Sequence, residues 1–400
     1  MKVLFCDPLN TQNNFYIFAK YLRQKGVDAS IAIDSSFRIP KEHLPEWHDK
    51  ELNQESPEWI HRLEFPLIMP YRQPIEYLRR WNRLLKIVDK QDIIICSGYA
   101  PIWIHWANKP FIFFSYGSDL DQEAVQGWSG VPNRTFSPWE KIIHFIIKKQ
   151  MVWSLRKATA TVVAPYQIEI AKKMGLKNLH FLAHIIDTKL FKVMDGEQRQ
   201  MVRDEMHTKL GCDLILFHPP RQVWADKSVK DCKGNDKVFR AFAKFVEVYN
   251  KRARLIVVDK GWDVPISKAL VEALGITEYV EWIKTVPRAE MHRYYNASDM
   301  VLDQFVVGVL TLVTTEAMSC GTPALSYVAP APDGMFYPEM PPILNVNTVD
   351  EIFEGMCYLA KNKDTRDSIG MNGRKWVEKY CSPDVATEGY IKLIKEVMKQ

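Results

Sequence analysis

Short apolar runs of strand type alternate with segments of helical period almost from end to end of this chain, and that alternation leaves few folds open. A strand followed by a helix re-enters its sheet parallel to its predecessor, so such a chain builds parallel sheets with helices on both faces. In the first half, strands are expected at Lys2–Cys6, Val27–Ile33, Asp92–Cys96, Phe111–Phe114, Ala160–Ala164 and Leu179–Leu182. Residues 39–73 read as irregular. The rhythm restarts after a polar stretch near 192–211, with strands at Leu214–His218, Leu255–Asp259, Val280–Ile283, Met300–Asp303 and Pro323–Tyr327. Two series imply an α/β protein of two Rossmann-like lobes facing a cleft. The expected division is a first lobe over 1–195, a second over 196–380 and a terminal helix, 381–400, returning to the first.

Composition closes off other classes. With 47% hydrophobic and 25% charged residues, the chain is neither disordered nor fibrous. Seven cysteines without a CxxC pair read as reduced thiols of a cytoplasmic protein. Val3–Cys6 is too short for a signal-peptide core, and no run approaches the ~18 apolar residues of a membrane span. The net charge of +5 is too small for a general nucleic-acid binder. It is unevenly spread, however. Residues 72–90 carry six basic and two acidic side chains, and 138–157 carry five and one. Helix 138–157 adds Trp139, Ile142, Phe145, Ile146 and Trp153. Helices 75–88 and 138–157 are therefore expected either as ordinary core helices or as contacts with an anionic membrane surface.

Two constellations carry chemistry. After the strand ending at His218 come Pro219, Pro220 and Arg221, and Lys233-Gly234-Asn235-Asp236 opens the next helix. An arginine, a lysine and a helix N-terminus together suit a phosphate. After Asp299–Phe305 come Gly308 and Thr311, then a helix carrying Glu316. Gly308 and Thr311 let backbone amides approach a ligand, and a carboxylate one turn in suits ribose hydroxyls. Taken singly, these are also two exposed cations and a glutamate favoured by a helix dipole. No HExxH motif or nucleophile elbow occurs.

Arg221, Lys233-Gly234, the run Tyr294-Tyr295-Asn296-Ala297-Ser298-Asp299 and Glu316-Ala317-Met318-Ser319-Cys320-Gly321-Thr322-Pro323 resemble the donor half of GT-B glycosyltransferases, the retaining family 4 in particular. The resemblance implies a sugar transferred from a nucleotide-sugar to a hydroxyl acceptor, a glycan or lipid-linked glycan, with no metal or other cofactor. Arg221 and Lys233 would hold the donor diphosphate and Glu316 the ribose. The loop Gly308, Thr311, Leu312 would present amides, and the turn with Thr285 and Val286 would hold the base. The family's first glutamate is replaced by Gly308, so Asp303 or Gln304 is expected to substitute. Twelve positions separate Arg221 from Lys233, more than the family's usual gap.

In the first lobe, Tyr116-Gly117-Ser118-Asp119 resembles the family's sugar-facing loop, with Asp119 among the expected catalytic groups. Asp119-Leu120-Asp121 also spells a DxD metal motif. Residues 8–14 lack the family's glycines. Two other readings compete: a non-catalytic partner subunit, which Gly308 keeps open, and a sugar-nucleotide 2-epimerase of the same fold.

Overall fold

A computed structural model describes residues 1–8, 14–35, 44–49, 52, 57–66, 73–117, 119–120, 137–227, 232–249, 252–330 and 337–399. The chain divides into two compact units, Met1–Ile185 with Ala386–Gln400, and Ile186–Val385. The expected boundary at 195/196 thus lies past the observed one. Residues 186–195 belong with the second unit because their side chains and carbonyls are used there. The Phe191 ring is buried 6.1 Å from that of Tyr295, and Asn296 donates to the Lys192 carbonyl and accepts from the Met194 amide.

The first unit holds a seven-stranded sheet of β1 (Lys2–Cys6), β2 (Asp28–Asp34), β3 (Ile60–Leu63), β4 (Ile93–Cys96), β5 (Phe111–Phe114), β6 (Ala160–Val162) and β7 (Leu179–His180), ordered β3-β2-β1-β4-β5-β6-β7. All its pairings are parallel. Strands β1, β4 and β5 are apolar and largely buried, as strands covered on both faces must be. β3 fell within the stretch read as irregular. It is a four-residue edge strand whose His61 and Arg62 break the apolar pattern.

The second unit holds β8 (Leu214–His218), β9 (Ala253–Val258), β10 (Val280–Ile283), β11 (Met300–Leu302), β12 (Ala324–Ser326) and β13 (Leu344–Asn345), ordered β10-β9-β8-β11-β12-β13 and again parallel. The polar stretch before β8 is a helix, Gly196–Leu210, with Val202 its one buried residue. Its signals are terminal rather than periodic: the Asp195 carboxylate accepts from the Gln198 amide, and Gly211 ends the helix in the left-handed conformation.

The terminal helix Pro383–Val397 completes the first unit's core. Ala386, Tyr390, Leu393, Ile394 and Val397 are buried with Phe5, Phe15, Phe18 and Phe114. The Tyr390 ring lies 4.8 Å from Phe18, and its hydroxyl donates to the Ala183 carbonyl at 3.2 Å. Truncating a buried aromatic of this kind costs about 3–5 kcal/mol. Tyr390→Ala is therefore expected to lower the unfolding free energy by about that amount in a urea titration, whereas truncating exposed Val385 leaves it nearly unchanged.

Candidate active site

Each sheet reverses its winding once, and in such sheets ligands bind in the crevice at the carboxyl ends of the strands flanking that reversal. In the second unit those strands are β8 and β11, neighbours in the sheet. The segments leaving them, 219–227 with 232–234 and 303–311, carry the residues expected to bind an anion and to present amides.

The first loop is held from beneath by two buried side chains. His218 Nδ1 lies 2.9 Å from the Leu302 carbonyl, and its Nε2 lies 2.8 Å from Asn235 Nδ2. A carbonyl only accepts, so Nδ1 carries a proton, and the Asn235 amide nitrogen only donates, so Nε2 carries none and the ring is neutral. Asn235 Nδ2 also donates to the Arg221 carbonyl, and its Oδ1 accepts from the Val223 amide. One asparagine thus fixes the backbone on both sides of Gln222. The Lys233 amide donates to the Val223 carbonyl, and the Lys233 carbonyl accepts from Phe305 N, which joins the two loops. Gly234 turns into the helix Asn235–Val248 at φ +71°, where a Cβ would lie 3.0 Å from Val306 Cγ2. Arg221 is exposed and Lys233 half-buried.

The second loop is built by the residues expected to replace the missing glutamate. Asp303 accepts from the hydroxyls of Thr311 and Thr314. Gln304 donates to the carbonyls of Val309 and Tyr327 and accepts from the amides of Val306 and Gly308. Both side chains are buried in the loop's frame, so a sugar contact by either would compete with these bonds. Burial raises the Asp303 pKa against the two hydroxyls and the nearby Lys233. Gly308 has φ +75°, and a Cβ there would stand 2.9 Å from the Ala329 Cβ and 3.1 Å from the Tyr327 ring. The position admits no larger side chain without movement. Thr311 caps the helix Leu312–Ser319, leaving that helix's first amides at the crevice.

Glu316 is buried inside the same helix. Its Oε1 meets Arg288 Nε at 2.7 Å, and its Oε2 accepts from the Tyr295 hydroxyl at 3.1 Å. Burial raises its pKa, and Arg288 opposes the rise. A ribose at this carboxylate would have to share it with Arg288, a residue the sequence reading missed. Its signal was a cation in the first position of a helix, Arg288–Ala297, where the dipole disfavours positive charge and a counter-ion is called for. Thr285 and Val286 are half-buried in the turn between β10 and that helix.

In the first unit, Asp119 is buried and saturated. It accepts from the Ser115 hydroxyl at 2.8 Å and from the amides of Gly98, Tyr116 and Gly117. Burial raises its pKa and those donors oppose the rise. Its carboxylate holds the loop together, so any part in catalysis or in a DxD site would have to share it with those donors. Tyr116 is half-buried, its ring packed against the core 5.3 Å from Phe15 and 5.1 Å from Phe114. Gly117 turns at φ +119°. Ser118, Asp121 and residues 9–13 lie outside the described residues. Among the described residues no group of three or more His, Cys, Asp or Glu is placed to hold a metal.

Two parallel doubly wound units define a GT-B architecture. It is shared along nearly the whole chain with HepE from Anabaena, solved with UDP-glucose: TM-score 0.70 and 14% identity, covering 99% of this chain and 100% of that one. Residues 227–376 match the model of the family Glycosyl transferases group 1. Among curated relatives, the D-inositol 3-phosphate glycosyltransferase of Kribbella flavida is 26% identical over 187 residues, 40% of this chain and 43% of its own. The alpha-monoglucosyldiacylglycerol synthase of Acholeplasma laidlawii is 20% identical over 194 residues, 46% of this chain and 44% of its own. The matches thus span less than half the length of either relative.

His218 makes the crevice floor sensitive to acid. Burial lowers its pKa from 6.5 to about 4. A depressed folded value means that its contribution is complete above pH 6.5 and is lost as the pH falls through 4. At roughly 1.4 kcal/mol per unit, that is on the order of 3 kcal/mol. Asparagine at this position keeps a donor for the Leu302 carbonyl without a titrating group. His218→Asn is therefore expected to lose about 3 kcal/mol less stability than the parent between pH 7 and pH 4, read from urea unfolding across that range.

Proposed function

We propose that the chain is a glycosyltransferase that moves a sugar from a nucleoside-diphosphate donor to a hydroxyl acceptor. The observation that supports this most is the bond from the Phe305 amide to the Lys233 carbonyl, which joins the loop carrying Arg221 and Lys233 to the loop that leads into the helix Leu312–Ser319. Lys233 and that helix lie within the residues that match a glycosyltransferase family model. Departure of the sugar leaves a diphosphate whose added charge needs stabilising. Arg221 and Lys233, on a backbone tied down before the reaction, and the first amides of the helix are cationic or dipolar donors, and such donors gain most where charge develops. That lets the leaving group depart without a metal ion. On the retaining course the family resemblance implies, a donor phosphate oxygen takes the acceptor's proton and the acceptor oxygen attacks from the face the diphosphate leaves. Thr285 and Val286 would flank the base.

Lys233→Ala is expected to lower kcat/KM by at least 100-fold with UDP-glucose or the donor that a panel of nucleotide-sugars selects, while EDTA leaves the parent's rate unchanged. Donor binding without transfer to any acceptor would instead favour a partner subunit. Conversion of the donor's own sugar without an acceptor would favour an epimerase.

The acceptor in this reading is a glycan or lipid-linked glycan reached from the cytoplasmic face of a membrane. Among the described residues no helix is long and apolar enough to cross a bilayer. The helix Pro138–Leu155 turns Trp139 (61% exposed), Ile142, Phe145 (59%) and Ile146 outward. Lys149 lies 5.4 Å from the Phe145 ring and Lys157 5.6 Å from that of Trp153, so apolar rings and ammonium groups share one surface. That combination suits anionic headgroups. The helix Pro74–Val88 suits them less, because Arg79 and Arg80 are paired with Glu76. The replacement Ile142→Glu/Phe145→Glu is expected to abolish flotation with phosphatidylglycerol vesicles while leaving nucleotide binding intact.

A further inference from the structure

At the amino ends of the second sheet's strands, opposite the crevice, lies a second cavity of about 190 Å³. Its wall includes Arg199 and Arg203 of the helix Gly196–Leu210, Lys363 and Arg366 of the helix Lys363–Tyr380, and Asp299 before β11. The charges do not balance. Buried Asp299 serves two guanidinium groups, Arg203 at 2.5 Å and Arg366 at 3.3 Å, and its other oxygen accepts from the Ile215 amide. Asp367 is matched by Lys363 at 2.6 Å. Among the described residues Arg199 makes a single hydrogen bond, Nε to the Asn296 carbonyl at 3.3 Å, and no ion pair. Half-buried beside Arg203, it has its pKa lowered by burial and by that neighbour against the more distant charges of Asp367 and Asp299.

The structure therefore assigns a second anion site. Four cationic side chains face two carboxylates, one of them already shared, in a cavity of small-molecule size. The first turn of the helix Lys363–Tyr380, whose amides no side chain caps, opens on the same space. We propose that this cavity binds a phosphate group, either inorganic phosphate or a phosphate monoester, with Arg199 as the principal ligand. Forked guanidinium donors match phosphate oxygens in pairs, and a doubly charged anion offsets the excess that the protein leaves standing. The ligand would also touch Gly321 and Pro323, which follow the helix whose opposite end opens on the donor crevice.

The full-length Arg221→Ala/Lys233→Ala double variant removes the crevice's own phosphate ligands. In calorimetric titrations against that variant, inorganic phosphate and glucose 6-phosphate are expected to bind saturably over a chloride control of equal ionic strength. A tighter Kd for glucose 6-phosphate identifies a monoester site, and equal values identify a site for phosphate itself. Adding Arg199→Gln is expected to weaken binding about tenfold, and adding exposed Lys363→Gln about threefold. The second replacement keeps the test decisive if the first disturbs folding. Absence of saturable binding, or affinity unchanged by both replacements, would overturn the proposal.

Discussion

Parallel strands impose one constraint on which the rest of this molecule depends: every strand in a sheet must be entered from the same edge. All loops that follow strands are thereby gathered at the other edge, and where the winding reverses two of them leave in opposite directions with a gap between. In the second unit the gap lies between β8 and β11. Of the segments entering it, the one after β8 brings Arg221 and Lys233 and turns at Gly234, and 303–311 turns at Gly308. Concentrated chemistry there is a consequence of topology before it is a consequence of residue choice.

The polar side chains nearest that gap spend themselves on backbone. Asn235 ties down Arg221 and Val223, Gln304 ties four main-chain groups of the following loop, and Asp303 binds two threonine hydroxyls. Asp119 does the same for the loop after β5. An irregular loop must satisfy its amides and carbonyls somewhere, and a buried carboxylate or carboxamide does this at several points at once. In the proposed reading, main chain, the cations Arg221 and Lys233 and the carboxylate of Glu316 are left to meet a ligand. Such a site would be preorganised by groups other than those that meet what it holds.

The fold was legible because hydrophobic runs and helical periods follow one another with little interruption. It failed to show at β3 and at Gly196–Leu210, where an edge strand and a surface helix bury too few residues to impose a period. The loops of the candidate site were legible too, from their glycines, cations and position after strands. The directions of individual side chains were not. Nothing local in the sequence distinguishes an aspartate that accepts three amides from one that faces solvent, so Asp119 and Asp303 read as ligand contacts. Tyr116 looked like a replacement for a sugar-facing histidine because its burial against Phe15 and Phe114 depends on a helix a hundred residues away. Arg288 was hidden for the same reason, since its partner Glu316 lies on another helix.

The first unit is discontinuous, and that bears on how the molecule is made. A nascent chain leaves the ribosome amino end first, and domains generally fold in that order. Here the earliest part, Met1–Ile185, emerges without Ala386–Gln400, the segment that closes its core, whereas Ile186–Val385 is one uninterrupted length. The order of completion is therefore inverted: the later unit can finish first, and the earlier one waits for Ala386–Gln400 to emerge before Phe18 and Phe114 are covered by Tyr390. Over that interval the two rings are apolar surface that the unfinished chain leaves open.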